Sequence, residues 1–436
     1  MGLLLMTHPK NHKNRIRAFF EKLGPGFITG AADDDPSGIA TYAQTGAKFG
    51  YGQLWTALFS FPFMVVVQEM CGRIGLVTGN GLAGVIKKHY SRPLLYGAVL
   101  LLLFANTVNI GADLGAMAAA AQLLVPLPFP MLMVGLVIFT LSLEVFVSYR
   151  RYAKILKFFA LSLLSYVLVS FLVRQDWGAV VYSTFIPTFS FSREYLMNIV
   201  AVLGTTISPY LFFWQTGEEV EEEINTGKIT EIGVGTPRLR SRDIFNMRYD
   251  TVVGMFFSNL IMFFIMTTTA TTLRAQGITH IETATQAAVA LRPLAGDFSS
   301  GLFAIGIIGI GLLAVPILGA SASYAVAESV GWRGSLSLPF KQARGFYGVM
   351  IFSTLIGLLI NFLGVQPFTM LYYTAILNGI VAPPLIFLIL FISNNRKIMG
   401  THTNSLFTNI MGIFIAVVMA GAGVLLITTS FLNEGV

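Results

Sequence analysis

The chain has 436 residues, 55 % of them hydrophobic and only 11 % charged, with a formal net charge of +7 and a mean hydropathy of +0.72. A soluble domain carries roughly 25 % charged residues, so there is too little charge here to clothe a water-facing surface. Apolar residues run continuously, as in Leu100–Leu103 and Leu355–Ile360, which excludes the alternating pattern of a transmembrane β-barrel and leaves an all-α integral membrane protein. A single cysteine, Cys71, rules out an internal disulfide. The five-residue apolar run Gly2–Met6, followed by basic residues, is too short for a cleavable signal peptide.

A helix needs about 20 apolar residues to cross a bilayer. Apolar runs between polar breaks predict eleven spans, near 25–46, 53–76, 94–125, 129–148, 152–173, 195–217, 247–273, 298–330, 346–362, 367–392 and 406–431. A short surface helix is expected over 282–292, before the eighth span. With the N-terminus in the cytoplasm, all but five of the 28 Lys and Arg residues fall on the inner side. The exceptions are Lys48, Arg174, Arg193, Arg274 and Arg292. This bias follows the positive-inside rule and accounts for the net charge without nucleic acid. The C-terminus then faces outward.

The first span contains Ala32-Asp33-Asp34-Asp35-Pro36-Ser37-Gly38. Pro36 has no N–H for the Ala32 carbonyl and pushes Asp35 out of helical geometry. The sixth span contains Gly204-Thr205-Thr206-Ile207-Ser208-Pro209-Tyr210, where Pro209 likewise frees the Thr205 carbonyl. Two spans five apart therefore break in mid-membrane, and paired interruptions of this kind mark a transporter's binding site. The negative ends of half-helices suit a cation. Asp35, the carbonyls of Ala32 and Thr205 and the Ser208 hydroxyl make an all-oxygen ligand set. Neighbouring helical positions point about 100° apart, so the three aspartates cannot all face one cavity; Asp33 or Asp34 is expected to face the outer or inner vestibule, with Asp34 counted on a possible pathway.

On the third span Asn106, Asn109 and Asp113 share a face and read as a cation or proton pathway, with an interhelical hydrogen-bond cluster as the plainer reading. Glu69, Glu144 and Glu328 sit nearer span ends, where pairing with Arg73, Lys154 or Arg333 is expected. Asn378 interrupts the tenth span and is a further ligand candidate. The run Glu218–Glu223 reads as a solvated helix extension on the cytoplasmic side, or alternatively as a cation-gathering mouth. The stretch around Thr236-Pro237-Arg238 reads as a loop.

From Lys22 to about Phe431 the chain resembles the natural-resistance-associated macrophage protein family of divalent-metal transporters. The anchors are Gly24-Pro25-Gly26-Phe27, Asp35-Pro36, Arg73-Ile74-Gly75-Leu76-Val77-Thr78-Gly79, Asp113-Leu114, Pro209 and Phe303-Ala304-Ile305-Gly306. The resemblance implies a LeuT-like fold of two inverted five-helix repeats plus an eleventh helix. The chain then divides into a cytoplasmic tail (1–23), a first repeat (24–173), an extracellular loop (174–194), a second repeat (195–392) and the eleventh helix with the C-terminus (393–436).

The chain also departs from that family. Its members carry Asp-Pro-Gly-Asn where Pro36 is followed here by Ser37-Gly38, and a methionine where Ser208 stands. Their two sixth-span histidines fall at Tyr210 and Gln215, and their third-span glutamate at Ala116. Arginines expected in the ninth span are absent. Loss of a soft thioether leaves oxygen donors, which suit Mg²⁺, Ca²⁺ and Mn²⁺, and glycine at position 38 is expected to widen the site for a hydrated ion. The pattern resembles the family's magnesium-transporting branch. All five histidines lie in loops or tails, which argues against proton relay.

The expected function is transport of divalent cations, Mg²⁺ before Mn²⁺, by alternating access in the cell's inner membrane and without proton coupling. A proton-coupled Mn²⁺/Fe²⁺ importer is the alternative. A Na⁺-coupled amino-acid carrier is disfavoured because Asp35 would repel a substrate carboxylate, a metal-dependent hydrolase because no His-rich ligand motif is present. No cofactor, nucleic acid or protein partner is implied; the partners are the metal ion and the lipid bilayer. A reporter fused after Val436 is expected to be active only on the outer face, and cytoplasmic activity there would refute the span count.

Overall fold

In a computed structural model, residues 24–147 and 161–433 are described. The N-terminal tail with its basic residues, Arg150, Arg151, Lys154 and Lys157, and the start of the fifth span lie outside these. The first pass is split into α1 (Pro25–Asp33) and α2 (Pro36–Phe49). It is followed by α3 (Trp55–Thr78), a short α4 (Leu82–His89), α5 (Arg92–Ala121) and α6 (Phe129–Phe146). The described part of the fifth pass is α7 (Leu164–Leu172), and α8 (Trp177–Phe185) follows it. The sixth pass is split into α9 (Arg193–Thr206) and α10 (Pro209–Asn225). Then come α11 (Ser241–Thr272), α12 (Ser299–Val330), α13 (Arg344–Ile360), α14 (Pro367–Asn394) and α15 (Leu406–Asn433).

Among the described residues the predicted spans reappear with shifted ends, the fifth only in its second half, and both expected breaks are present. Short helical pieces over 284–298 replace the predicted surface helix. Two helices of eight or nine residues were not foreseen. α8 lies within the expected loop 174–194, started by Asp176, whose carboxylate accepts from Ala179 N at 3.0 Å; its Val181, Tyr182 and Phe185 are exposed, the pattern of a helix lying on an interface. α4 is only eight residues long, below the length that a span search detects.

Depth in the bundle follows composition. The α9–α10 pass is 89 % buried over its most apolar window, against 22 % for α6 and 33 % for α15. α6 and α15 therefore form the lipid-facing rim and the broken sixth pass lies at the centre. The two broken passes meet head to tail: the Tyr210 hydroxyl at the start of α10 donates to the Ala32 carbonyl at the end of α1 at 2.8 Å. A Cβ on Gly38 at the start of α2 would lie 3.2 Å from Thr205 Oγ1 at the end of α9. This antiparallel apposition is the geometry of inverted repeats.

α1 is fastened to α11 in two ways. Asp250 accepts from Gly24 N at 3.0 Å and Gly26 N at 2.7 Å, capping orphan donors of the helix N-terminus from a distant helix. Beside this cap the backbones touch: a Cβ on Gly254 would overlap the Gly26 carbonyl, and one on Gly30 would overlap the Gly254 backbone. Small residues allow such close approach in membranes. At one end of the bundle Lys48 pairs with Glu194 at 3.1 Å and the Arg274 guanidinium donates to the Lys48 carbonyl. At the other end Arg73 and Arg248 converge on Glu69 at 3.0 and 2.8 Å. Lys48 and Arg274, two of the five residues read as outward, thus lie at the end opposite Arg73 and Arg248.

Gly254→Val is expected to destabilise the protein by about 1–3 kcal/mol through overpacking. Gly348→Ala, at a helical position with open space around it, should be neutral or slightly stabilising. Melting temperatures of the purified variants check both; equal stability would place α1 away from α11.

Candidate functional site

Asp35 is the hub of the break. It is the N-cap of α2, and its Oδ1 accepts from Gly38 N and from the Ser37 hydroxyl, both at 2.7 Å. This is the usual role of an aspartate at a helix start; Pro36 behind it sits at the first helical position, where a missing N–H costs nothing. Its Oδ2 accepts from Asn109 Nδ2 at 3.1 Å and lies 3.4 Å from the Tyr210 hydroxyl. Tyr210 has one proton to give, and the shorter contact is to Ala32. Asp35 thus joins α2, α5 and α10 while 1 % exposed.

The two carbonyls read from the sequence as freed are not orphaned in this structure. That of Ala32 accepts from Tyr210, and that of Thr205 accepts from the Ser208 hydroxyl at 2.7 Å, with Gly204 O at 3.0 Å from the same hydroxyl. The correction has a plain cause: a buried carbonyl without a partner is costly, and the Ser208 hydroxyl one turn away and the Tyr210 hydroxyl on the facing helix supply the donors. A carbonyl oxygen carries two lone pairs, so each can still accept another partner. The Thr205 hydroxyl is buried without a hydrogen-bond partner. Gly38 stands where a Cβ would lie 3.2 Å from both Asp33 O and Thr205 Oγ1, so a side chain there would crowd the break.

The polar stripe on α5 divides. Asn109 reaches Asp35, whereas Asn106 Nδ2 donates to the Leu318 carbonyl on α12 at 2.9 Å, the interhelical bond of the plainer reading. Asp113 is fully buried and neither carboxylate oxygen finds a hydrogen-bond partner; it faces Asp35 and the Ser37 backbone. Asp33 and Asp34 turn to α11, where the Ser258 hydroxyl lies 2.6 Å from Asp33 Oδ2 and 3.3 Å from Asp34 Oδ1. The three aspartates do point two ways, although Asp34 faces a helix and not a vestibule. Asn378 is buried on α14, beside Gly379, which packs against Gly204 near the end of α9; its Nδ2 has no partner.

Toward the Arg73 end, Gln215 links the first pass to the acidic run, accepting from the Thr29 hydroxyl and donating to Glu219 Oε1 at 2.9 Å. That run is solvated only in part, with Glu222 exposed and Glu218 half-buried. Glu219, Glu221 and Glu223 are buried, and Glu221 accepts from the Tyr324 hydroxyl at 2.9 Å, Leu336 N at 3.1 Å and the Ser337 hydroxyl at 2.8 Å. The segment after α12 folds over this face of α10, which the sequence pattern does not reveal. Glu328 does not pair with Arg333 but accepts from Gly84 N at 2.8 Å near the start of α4, while Arg333 pairs with Glu231 at 2.8 Å. Glu69 takes Arg73 as expected, and the partner expected for Glu144 lies outside the described residues.

The sequence reading also missed a buried network on α9. Asn198 Nδ2 donates to Thr45 Oγ1 at 2.9 Å and Gln53 Oε1 at 2.5 Å, and Asn198 Oδ1 accepts from the Tyr372 hydroxyl at 3.1 Å. Beside it, at the Lys48 end, a cleft of about 270 Å³ is lined by Ala40, Gln44, Glu194, Glu282 and Tyr372. The isolated polar residues Asn198 and Ser258 in apolar runs were the available signal. Among the described residues no three His, Cys, Asp or Glu side chains converge as a metal centre, so the break offers one carboxylate with carbonyls and hydroxyls around it.

Two facing helix breaks inside a bundle of apolar passes define a multi-pass membrane protein of the LeuT-like transporter fold, not an enzyme. A manganese transporter from Eremococcus coleocola superposes with a TM-score of 0.77 at 16 % identity, covering 98 % of this chain and 91 % of that one. Mhp1, a nucleobase-cation-symport-1 family transporter, gives 0.56 at 12 % identity over 94 % and 93 %; at these identities the likeness is one of fold. The chain belongs to the natural resistance-associated macrophage protein-like family, whose sequence model matches residues 26–429. Relatives include proteins named divalent metal cation transporter MntH from Caldanaerobacter subterraneus, 25 % identical over 95 % of this chain and 94 % of that one, and from Bacillus subtilis, 26 % identical over 95 % and 94 %. A manganese transporter of Schizosaccharomyces pombe is 31 % identical over 46 % of this chain and 40 % of its own length.

Tyr210→Phe is expected to leave the Ala32 carbonyl unsatisfied and cost about 1–3 kcal/mol, read as a lower melting temperature. An unchanged melting temperature would mean that the breaks are held by other contacts.

Proposed function

We propose that this chain carries divalent metal cations across the cell membrane by alternating access, binding the ion between the two helix breaks. Asp35 supplies the charge. The Ala32 and Thr205 carbonyls and the Ser208 hydroxyl add oxygen donors, and Asn109 and Tyr210 orient the carboxylate. The observation that carries this reading is Asp35 itself, fully buried where the ends of α1, α2, α9 and α10 meet, in a chain whose relatives bear the names of divalent metal transporters. The N-terminus would face the cytoplasm by the distribution of Lys and Arg.

Kinship puts Mn²⁺ ahead of Mg²⁺, the reverse of the order that the donor set alone suggests. Ser208 supports the second ion, because an oxygen stands where the family's soft sulfur would discriminate against hard cations. The reading that joins both is a site that transports Mn²⁺ and also admits Mg²⁺. Coupling to protons divides in the same way. Tyr210, Gln215 and Ala116 in place of titratable residues favour proton-independent transport, while the unpartnered Asp113 beside Asp35 favours a proton-coupled importer.

One liposome experiment separates these readings. Asp35→Asn is expected to abolish saturable Mn²⁺ uptake, and uptake with an unchanged KM would move the site elsewhere. Excess Mg²⁺ is expected to compete in wild type. Ser208→Met should raise the preference for Mn²⁺ on the order of tenfold, or about 1.4 kcal/mol. Ser208 is the cleaner position to change, since an asparagine at 38 would crowd Asp33 and Thr205. An internal pH dye reports coupling: acidification in step with Mn²⁺ would establish the proton-coupled reading.

A further inference from the structure

At the Lys48 end, helices join in two pairs through backbone contact. α2 lies on α11, where a Cβ on Gly46 would overlap the Met266 carbonyl and the Thr269 hydroxyl. The segment after α11 belongs with this pair, because the Gln44 amide donates to the Thr279 carbonyl and accepts from Ile281 N, both at 2.8 Å. α9 lies on α14 in the same manner: a Cβ on Gly204 would overlap the Ala375 carbonyl, and one on Gly379 that of Val200. Contacts as close as these, made by small residues, leave little room for sliding, so each pair behaves as one body.

Between the two bodies runs the cleft of about 270 Å³, with Ala40, Gln44 and Glu282 on one wall and Met197, Thr369 and Tyr373 on the other. Ala40 follows Asp35 on α2 by about 7.5 Å along the helix axis, at 1.5 Å per residue, so the cleft ends little more than a turn from the break. Polar bonds cross the seam beside it. Asn198 on α9 is fully buried. Its amide donates across the seam to Thr45 Oγ1 on α2 at 2.9 Å and to Gln53 Oε1 just past α2 at 2.5 Å, while its carbonyl accepts from Tyr372 of its own body at 3.1 Å. Lys48 pairs with Glu194 across the same seam at 3.1 Å, and Phe49 meets Tyr195 edge to face. Water entering an open cleft can replace the polar bonds, so parting them costs less than burying them unpaired would.

We propose that the entrance at the Lys48 end opens along this seam, the α2–α11 body parting from the α9–α14 body, and that Asn198 with the Lys48–Glu194 pair is the latch that holds it shut. The proposal rests on the transport reading, since it sets the entrance above Asp35. Asn198 is a positioning residue in it: it touches no ion and sets how often the cleft reaches down to the break. The segment over 279–281, held by Gln44, travels with α2 and not with α14.

The test uses the purified full-length chain carrying Cys71→Ser and one reporter thiol, Ala40→Cys, at the floor of the cleft, where Ala40 is 6 % exposed. Labelling by a maleimide is expected to be slow and to quicken several-fold when Asn198→Ala is added. Arg248→Ala, at the opposite end, should leave the rate unchanged. No rise with Asn198→Ala, or an equal rise with Arg248→Ala, would overturn the latch. A second arm joins Lys48→Cys to Glu194→Cys with a reducible bis-methanethiosulfonate. Both side chains reach the surface, so this pair decides the question even if Asn198→Ala fails to fold. Cross-linking is expected to abolish Mn²⁺ uptake into liposomes and dithiothreitol to restore it; undiminished uptake by fully cross-linked protein would overturn the seam. Labelling does not depend on uptake, so a wild type that carries no Mn²⁺ would refute the transport reading and leave the labelling rates to judge the latch.

Discussion

Everything in the centre of this protein follows from a backbone that cannot stay helical through Pro36 and Pro209. In the bilayer interior each interrupted N–H and C=O must find a partner within the protein. The chain meets this demand by setting the two interruptions against each other. Asp35 caps α2, Tyr210 reaches from α10 to the Ala32 carbonyl, and Ser208 turns back on Thr205. The same groups that repair the breaks are oxygen-rich and converge, so the repair of the fold and the composition of the site are one problem with one solution.

The surrounding helices make that arrangement tolerable. The sixth pass is the most enclosed of the apolar passes compared, so its break faces protein and not lipid. α1 is held by a carboxylate at its N-terminus and by glycine contacts along its side, interactions that close tightly yet need no large apolar interface to separate. The Asn198 network does comparable work at the Lys48 end, joining α2, α9 and α14 through Thr45, Gln53 and Tyr372. Both halves of the first pass thus pack along α11 and carry directional polar contacts at their ends.

Much of this was legible in the sequence, for identifiable reasons. Long apolar runs and the placement of basic residues determine spans because the bilayer imposes length and charge rules on every helix separately. A proline acts on its own turn, so the breaks were visible as well. What stayed hidden depends on which helix lies opposite. Asn106 and Asn109 share a face of α5, yet one bonds α12 and the other Asp35. Glu221 reads as a surface acid until Ser337 and Tyr324 close over it. Ser258 drew no attention because its partners, Asp33 and Asp34, are more than two hundred residues away.

The account's central claim is that a divalent cation binds Asp35 at the meeting of the broken helices. Anomalous scattering at the manganese edge from crystals grown with Mn²⁺ tests it most directly. The account requires a peak at direct-coordination distance from the Asp35 carboxylate, about 2.0–2.6 Å for hard divalent ions, bordered by the Ala32 and Thr205 carbonyls. Manganese found only in the cleft beside Gln44 and Glu282, with none touching Asp35, would contradict it.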